Sequence, residues 1–212
     1  MAALPIARGT PTTRPVAPAG LKVPAPEEQA PVWDYALSTA TPPPAMWLLG
    51  AHGGAGVSTL AHTWAPAADA QRGWPSADRH PNVVVVARTH RIGLNAAHIL
   101  LRQAAAGLIG ECMLLGLVTI TDHNGHLPAT LRRHLALVEE LAPAAWRIPF
   151  LPIYRCLNIE QMPQWSPRIE PTEPQRRFSR TDPTTTVHPD LTEIGRAVFD
   201  TARTAANSRK QR

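Results

Sequence analysis

The chain has 212 residues, 44% of them hydrophobic and 17% charged, enough for one packed core of ordinary size and too few for two full domains. Its formal net charge of +5, carried almost wholly by arginine, is spread along the sequence and forms no basic arm, so nucleic acid stays open as a partner on charge alone. Two distant cysteines, Cys112 and Cys156, speak against a disulfide scaffold or a cysteine-type zinc module; with no apolar run of about 18 residues and no signal-like start, a cytoplasmic protein without a membrane span is expected.

Ten of the 23 prolines fall in residues 1–44, where Pro, Ala and Thr follow one another without a helical or strand period. This stretch is expected to be a disordered Pro-rich arm. Val32 to Leu37 interrupts it with Trp33 and Tyr35, a segment able to dock on its own domain or on a partner. From residue 45 to 155 short apolar runs alternate with helical patterns, the mark of an α/β domain with a small, mostly parallel sheet of about four strands and flanking helices. Ala45–Leu49 reads as the first strand and Ser58–Trp64 as a short helix ended by Pro66. Asn82–Ala87, almost all valine, reads as a strand buried on both faces, with a helix from Leu94 to Ala106 behind it.

Met113–Thr121 is the third strand, Pro128 opens a helix with Leu131, Leu135 and Val138 on one side, and Trp146–Leu151 is a fourth strand that Pro149 confines to an edge or cuts short. Between Thr59 and Val83 there is room for one short helix. Residues 156–189, rich in proline and without apolar period, read as a linker; residues 190–206 read as a C-terminal helix with Asp190 and Glu193 in a capping box, and 207–212 as a basic tail.

The segment that carries chemistry is Gly50-Ala51-His52-Gly53-Gly54-Ala55-Gly56-Val57-Ser58-Thr59, set between a strand and a helix. Glycines let successive backbone N–H groups turn toward an anion, the helix start adds partial positive charge, and Ser58 has the hydroxyl that can ligate Mg²⁺. In an open parallel sheet the loops after each strand meet on one side. The second such loop holds Arg88 and Arg91, which either supply a phosphate cation or are solvated residues at a helix start. The third holds Asp122, which with Gly125 spells D-x-x-G: either an acid that holds a Mg²⁺ shell, or an Asx turn. His123 and His126 beside it lack a third fixed partner for a metal.

On His52 to Thr59 the chain resembles the deviant phosphate-loop ATPases of the ParA/MinD kind, whose motif reads K-G-G-V-G-K-T-T and which position plasmids or division sites. A similarity to actinobacterial mobile-element proteins with a G-G-A-G-V-S-T loop is also visible. The resemblance implies a P-loop NTPase-like fold that binds ATP or GTP through His52, Gly53, Gly54, Ala55, Gly56, Val57, Ser58 and Thr59, with Mg²⁺ carried by the nucleotide on Ser58. It implies a switch or accessory role in plasmid or mobile-element maintenance or transfer, with an unknown protein partner. Both motif lysines are replaced, by His52 and Val57, and Val57 cannot place a cation on the phosphates. Binding with weak or no hydrolysis is therefore expected. The alternative is a pseudo-ATPase that keeps the fold without the nucleotide and serves as a protein-interaction adaptor.

Overall fold

The computed structural model describes residues 20–37, 43–76, 81–168 and 182–211. The other parts of the expected Pro-rich arm (1–19 and 38–42) and linker (169–181), and the last residue of the basic tail, lie outside the described residues. Three long strands form where the sequence is most apolar: β1 (Met46–Gly50), β3 (Asn82–Arg88) and β4 (Met113–Ile120), each buried along nearly its whole length. β2 (Ala67–Asp69) and β5 (Ala145–Ile148) complete a five-stranded, all-parallel sheet in the order β2-β1-β3-β4-β5.

The expected count of about four strands is thus corrected to five. The additional strand is β2, which pairs Met46 with Ala67 and Leu48 with Asp69 in the stretch expected to hold only a helix. Ala-Ala-Asp carries neither a period nor a β-branched residue, so only the adjacent β1 makes it a strand. At the opposite edge β5 stops before Pro149, whose missing N–H cannot extend the ladder.

A parallel sheet needs both faces covered. Helix α1 (Val57–Thr63) and the C-terminal α4 (Pro189–Lys210) cover one face; α2 (Arg91–Ala105) and α3 (Ala129–Glu140) cover the other. The first crossover leads outward from β1 to β2 and the later ones lead from β3 through β4 to β5 in the opposite direction. With crossovers of a single hand, that reversal sends α1 to one face and α2 and α3 to the other. In β4, Gly116 lets the sheet accept the neighbouring strand: a Cβ there would lie 2.4 Å from the Ala144 carbonyl and 2.5 Å from the Trp146 ring.

Several segments outside the regular elements belong to this core. In the stretch expected to be a linker, Trp165 is buried; its N–H donates to the Thr63 carbonyl at 2.8 Å and its carbonyl accepts from Ala65 N–H at 2.9 Å. The Trp64 indole donates to the Leu191 carbonyl at 3.0 Å, tying α1 to α4. Gly195 of α4 faces both tryptophans, and a Cβ there would come within 2.7 Å of Trp165 and 2.8 Å of Trp64. Asn82 at the start of β3 donates to the Ala202 carbonyl at 3.4 Å and accepts from Arg209, so α4 is fixed along its length.

On the other face, Trp33 N–H donates to the Trp74 carbonyl, Trp74 N–H donates to the Pro31 carbonyl, both at 2.8 Å, and buried Gln103 bonds both backbone groups of Ala30. The segment around Trp33 therefore docks on its own domain. The helix starts also differ from the expected ones. α4 is capped by His188, whose Nδ1 accepts from Asp190 N–H, not by an Asp190–Glu193 box. α2 starts at Arg91, capped by His90, whose Nδ1 accepts from Gly93 N–H at 3.0 Å.

Truncating Trp165 to alanine should destabilise the whole fold by about 3–5 kcal/mol, the usual cost of removing a buried aromatic. Denaturant unfolding of the full chain measures this; a loss below about 1 kcal/mol would show that the segment before residue 168 adds nothing to the core.

Candidate functional site

The strand order reverses between β1 and β3, so the loops that leave their carboxyl ends depart toward opposite faces and open a crevice between them. In open α/β sheets that switch point is where ligands sit. Here the two loops at the switch point are Ala51–Gly56 and the turn at Thr89–His90.

His52 links them. A backbone N–H can only donate, so the bond from Arg88 N–H to His52 Nε2 at 3.1 Å makes Nε2 the acceptor. The ring proton therefore sits on Nδ1, which donates to the Gly53 carbonyl at 2.8 Å. The ring also lies 4.8 Å from the His90 ring. Burial, with lesser contributions from His90, Arg72 and Arg88, holds the His52 pKa below its ordinary value. Both ring nitrogens thus serve the backbone, and the neutral ring clips the glycine loop to the end of β3. Gly93, in the first turn of α2, makes room for this clip: a Cβ there would meet the Arg88 carbonyl at 2.4 Å and His52 Nε2 at 2.8 Å.

The remaining loop residues fall into two groups. Gly53 and Gly54 are exposed, and Gly54 and Gly56 adopt φ of +75° and +100°, which a side chain would strain. Ala55 and Val57 point inward and are 2% and 8% exposed; Val57 is part of the core beneath α1. Position 57 is thus a packing position in this chain. Ser58 is exposed and Thr59 half-buried at the start of α1.

Arg88 lies over the loop. Its Nε donates to the Gly54 carbonyl at 3.3 Å, and one terminal nitrogen is 3.9 Å from where a Cβ of Gly56 would stand. Burial is the main influence that lowers its pKa, Asp122 opposes that shift and Arg155 adds to it, yet a guanidinium stays charged throughout. Arg91 is exposed at the first residue of α2. Asp122 accepts from Thr89 Oγ1 and from His123 Nδ1, both at 3.1 Å, and these bonds hold its pKa below the usual carboxylate value against the opposing effect of burial. The structure therefore brings Arg88 to the glycine loop and leaves Arg91 at the surface.

Beside the loop, on the α1–α4 side, opens a pocket of about 80 Å³. Gly56, Thr59, Arg88 and Thr121 line it from the sheet side, and Tyr154 and Arg155 from the 3-10 turn Pro152–Arg155 that follows β5. Sequence reasoning missed Tyr154, Arg155 and Gly93. The first two lie about 100 residues from the loop, with no motif to connect them. Gly93 does carry a signal, a glycine in the first turn of an otherwise apolar helix, where it costs helix stability without a local benefit.

No group of three or more His, Cys, Asp or Glu that could hold a metal occurs among the described residues. Ser58 and Asp122 offer two oxygen side chains at this end of the sheet. A Mg²⁺ ion takes octahedral oxygen coordination, so these residues fit one only if ligand oxygens and water complete the shell.

The fold and the loops define a doubly wound, all-parallel α/β protein with a glycine loop at its switch point. The chain belongs to the family of unknown function DUF6668, whose model matches residues 44–168. That match takes in the whole sheet and the glycine loop and ends before α4. No curated protein and no solved structure matches the chain. Among the described residues, no helix is long and apolar enough to cross a membrane.

The His52 clip makes stability pH-dependent with a definite sign. Its folded pKa is below the unfolded value, so its contribution is complete above about pH 6.5 and is lost as pH falls through the folded value. His98, lowered by burial and by Arg102 and His134, adds a loss of the same sign. In His52→Gln, which keeps an acceptor but does not titrate, the fall in melting temperature between pH 7 and pH 5 should be smaller than in the natural chain. An unchanged fall would show that the ring takes up its proton without releasing Arg88 N–H.

Proposed function

We propose that the chain binds a nucleotide, ATP or GTP, at the glycine loop, hydrolyses it slowly or not at all, and uses the bound state as a switch for a partner. The observation that carries this reading is Arg88, a permanent cation bonded to the Gly54 carbonyl at the mouth of a glycine loop, at the switch point of a parallel sheet. Gly53, Gly54 and Gly56 give a ligand close approach to backbone. Thr59 and Ser58 offer hydroxyls, and Ser58 with Asp122 would hold a Mg²⁺ ion brought by the nucleotide, which would neutralise phosphate charge there. His52 acts on the loop and not on the ligand.

The weak-hydrolysis part rests on Val57. A phosphate-loop lysine stabilises charge that builds up during phosphoryl transfer, and a buried valine supplies none. A likeness to the ParA/MinD ATPases supports the switch reading, and with it a place in plasmid or mobile-element maintenance or transfer.

Titration of the full chain with fluorescent ATP and GTP analogues, with and without Mg²⁺, tests this. Micromolar binding is expected, weakened about tenfold or more in Arg88→Ala, as for loss of a charge-assisted contact. No binding at millimolar ligand would sink the reading. Gly56→Asp is a poorer test, since any Cβ at Gly56 would stand 2.8 Å from Ile120 at a φ of +100° and disturb the loop itself.

The adaptor reading is favoured by one observation, the core position of Val57. Adding Lys at 57 would bury an ammonium in the α1 interface instead of restoring a phosphate contact. Under this reading the docked segment with half-exposed Val32 and Tyr35 would offer partner contacts, and Tyr35→Ala would weaken partner binding while nucleotide had no effect on it. A partner affinity that changed on adding nucleotide would exclude it.

A further inference from the structure

The pocket beside the glycine loop is small, mostly apolar and lined by two arginines. Arg88 reaches it from the end of β3 and Arg155 from the turn after β5. Neither guanidinium forms an ion pair among the described residues. Among the described residues no Asp or Glu lines the pocket; the acid that acts on Arg88, Asp122, is engaged by Thr89 and His123. Two like charges therefore line one space with no carboxylate of the described residues between them. Thr59 and Thr121 add hydroxyls, and Gly56 leaves backbone exposed on the same wall. Leu60, Ile148, Phe150 and Leu191 supply apolar lining beside them, which lowers the local dielectric and strengthens an arginine–anion contact.

The size of the space decides what it can take. At about 80 Å³ it holds a tetrahedral phosphoryl group and a little water, far less than the roughly 300–1,000 Å³ of pockets that enclose a drug-sized ligand. A nucleoside carried by that phosphate would lie outside it. We propose that this pocket is a phosphoryl-group site whose cations are Arg88 and Arg155, and that it selects a ligand by its terminal phosphate and not by its base.

This rests on the reading that the glycine-loop end of the sheet binds a phosphorylated ligand, and it adds what part of that ligand is recognised. Arg155 replaces, from a remote loop, the positive charge that Val57 does not supply. Its side chain is exposed and lies 6.0 Å from the centre of the Phe150 ring, so it can be changed without opening the core.

The experiment is calorimetric titration of the full chain with ATP, GTP, CTP and inorganic tripolyphosphate at fixed salt and Mg²⁺. The four dissociation constants are expected to agree within about threefold, and Arg155→Gln should weaken all four by about tenfold. The control is Arg203→Gln, about 18 Å along α4 from Leu191, expected to stay within twofold. Unchanged melting temperature in Arg155→Gln keeps the comparison valid, and Arg155→Lys, which keeps the charge, should recover part of the loss. A tenfold preference for one nucleotide over tripolyphosphate, or tight binding in Arg155→Gln, would overturn the proposal and leave nucleotide binding standing. Failure of all four ligands to bind would overturn both.

Discussion

An all-parallel sheet has two apolar faces and cannot leave either one wet, and most of this molecule follows from that requirement. Valine and leucine run through β1, β3 and β4 with almost no polar interruption. Two helices are needed on each face, yet α1 has only seven residues. The shortfall beside it is filled from far along the chain, by Trp165 and α4, which meet on Trp64. Leu191, Val198, Phe199, Ala202 and Ala205 of α4 belong to the same core as Val84, Val86 and Val118, so α4 is part of the domain in physical terms although it follows a Pro-rich stretch.

The same topology creates the candidate site. Because β1 leads to β2 on one side and β3 leads to β4 on the other, the backbone separates at the carboxyl ends of β1 and β3 and leaves a crevice. Closing it again requires something short and neutral that can both donate and accept. His52 does so with one proton, and the helix that approaches it must begin with a glycine two residues after its first turn starts, at Gly93. The positive charge at the neighbouring pocket then comes from outside the glycine loop, from Arg88 at the end of β3 and Arg155 in the turn after β5.

The strands with long β-branched or leucine runs could be read without a structure, since burial on both faces leaves no other composition for them. The loop was equally legible, because glycine at closely spaced positions between a strand and a helix has few other uses. β2 was not, since three residues without a pattern become a strand only when β1 offers its edge. The starts of α2 and α4 are not legible in the sequence for a local reason: histidine caps both helices, where Ser, Thr, Asp or Asn is usual.

The sequence by itself determined the α/β class, the buried strands and a glycine-rich loop between the first strand and helix, since each of these is a property of neighbouring residues. Only the tertiary structure decided that Val57 is a core residue, that His52 serves the backbone, and that Arg88 and Arg155 share one pocket. Those facts depend on contacts between segments tens of residues apart, and side-chain direction and charge proximity across such distances leave no trace in local spacing.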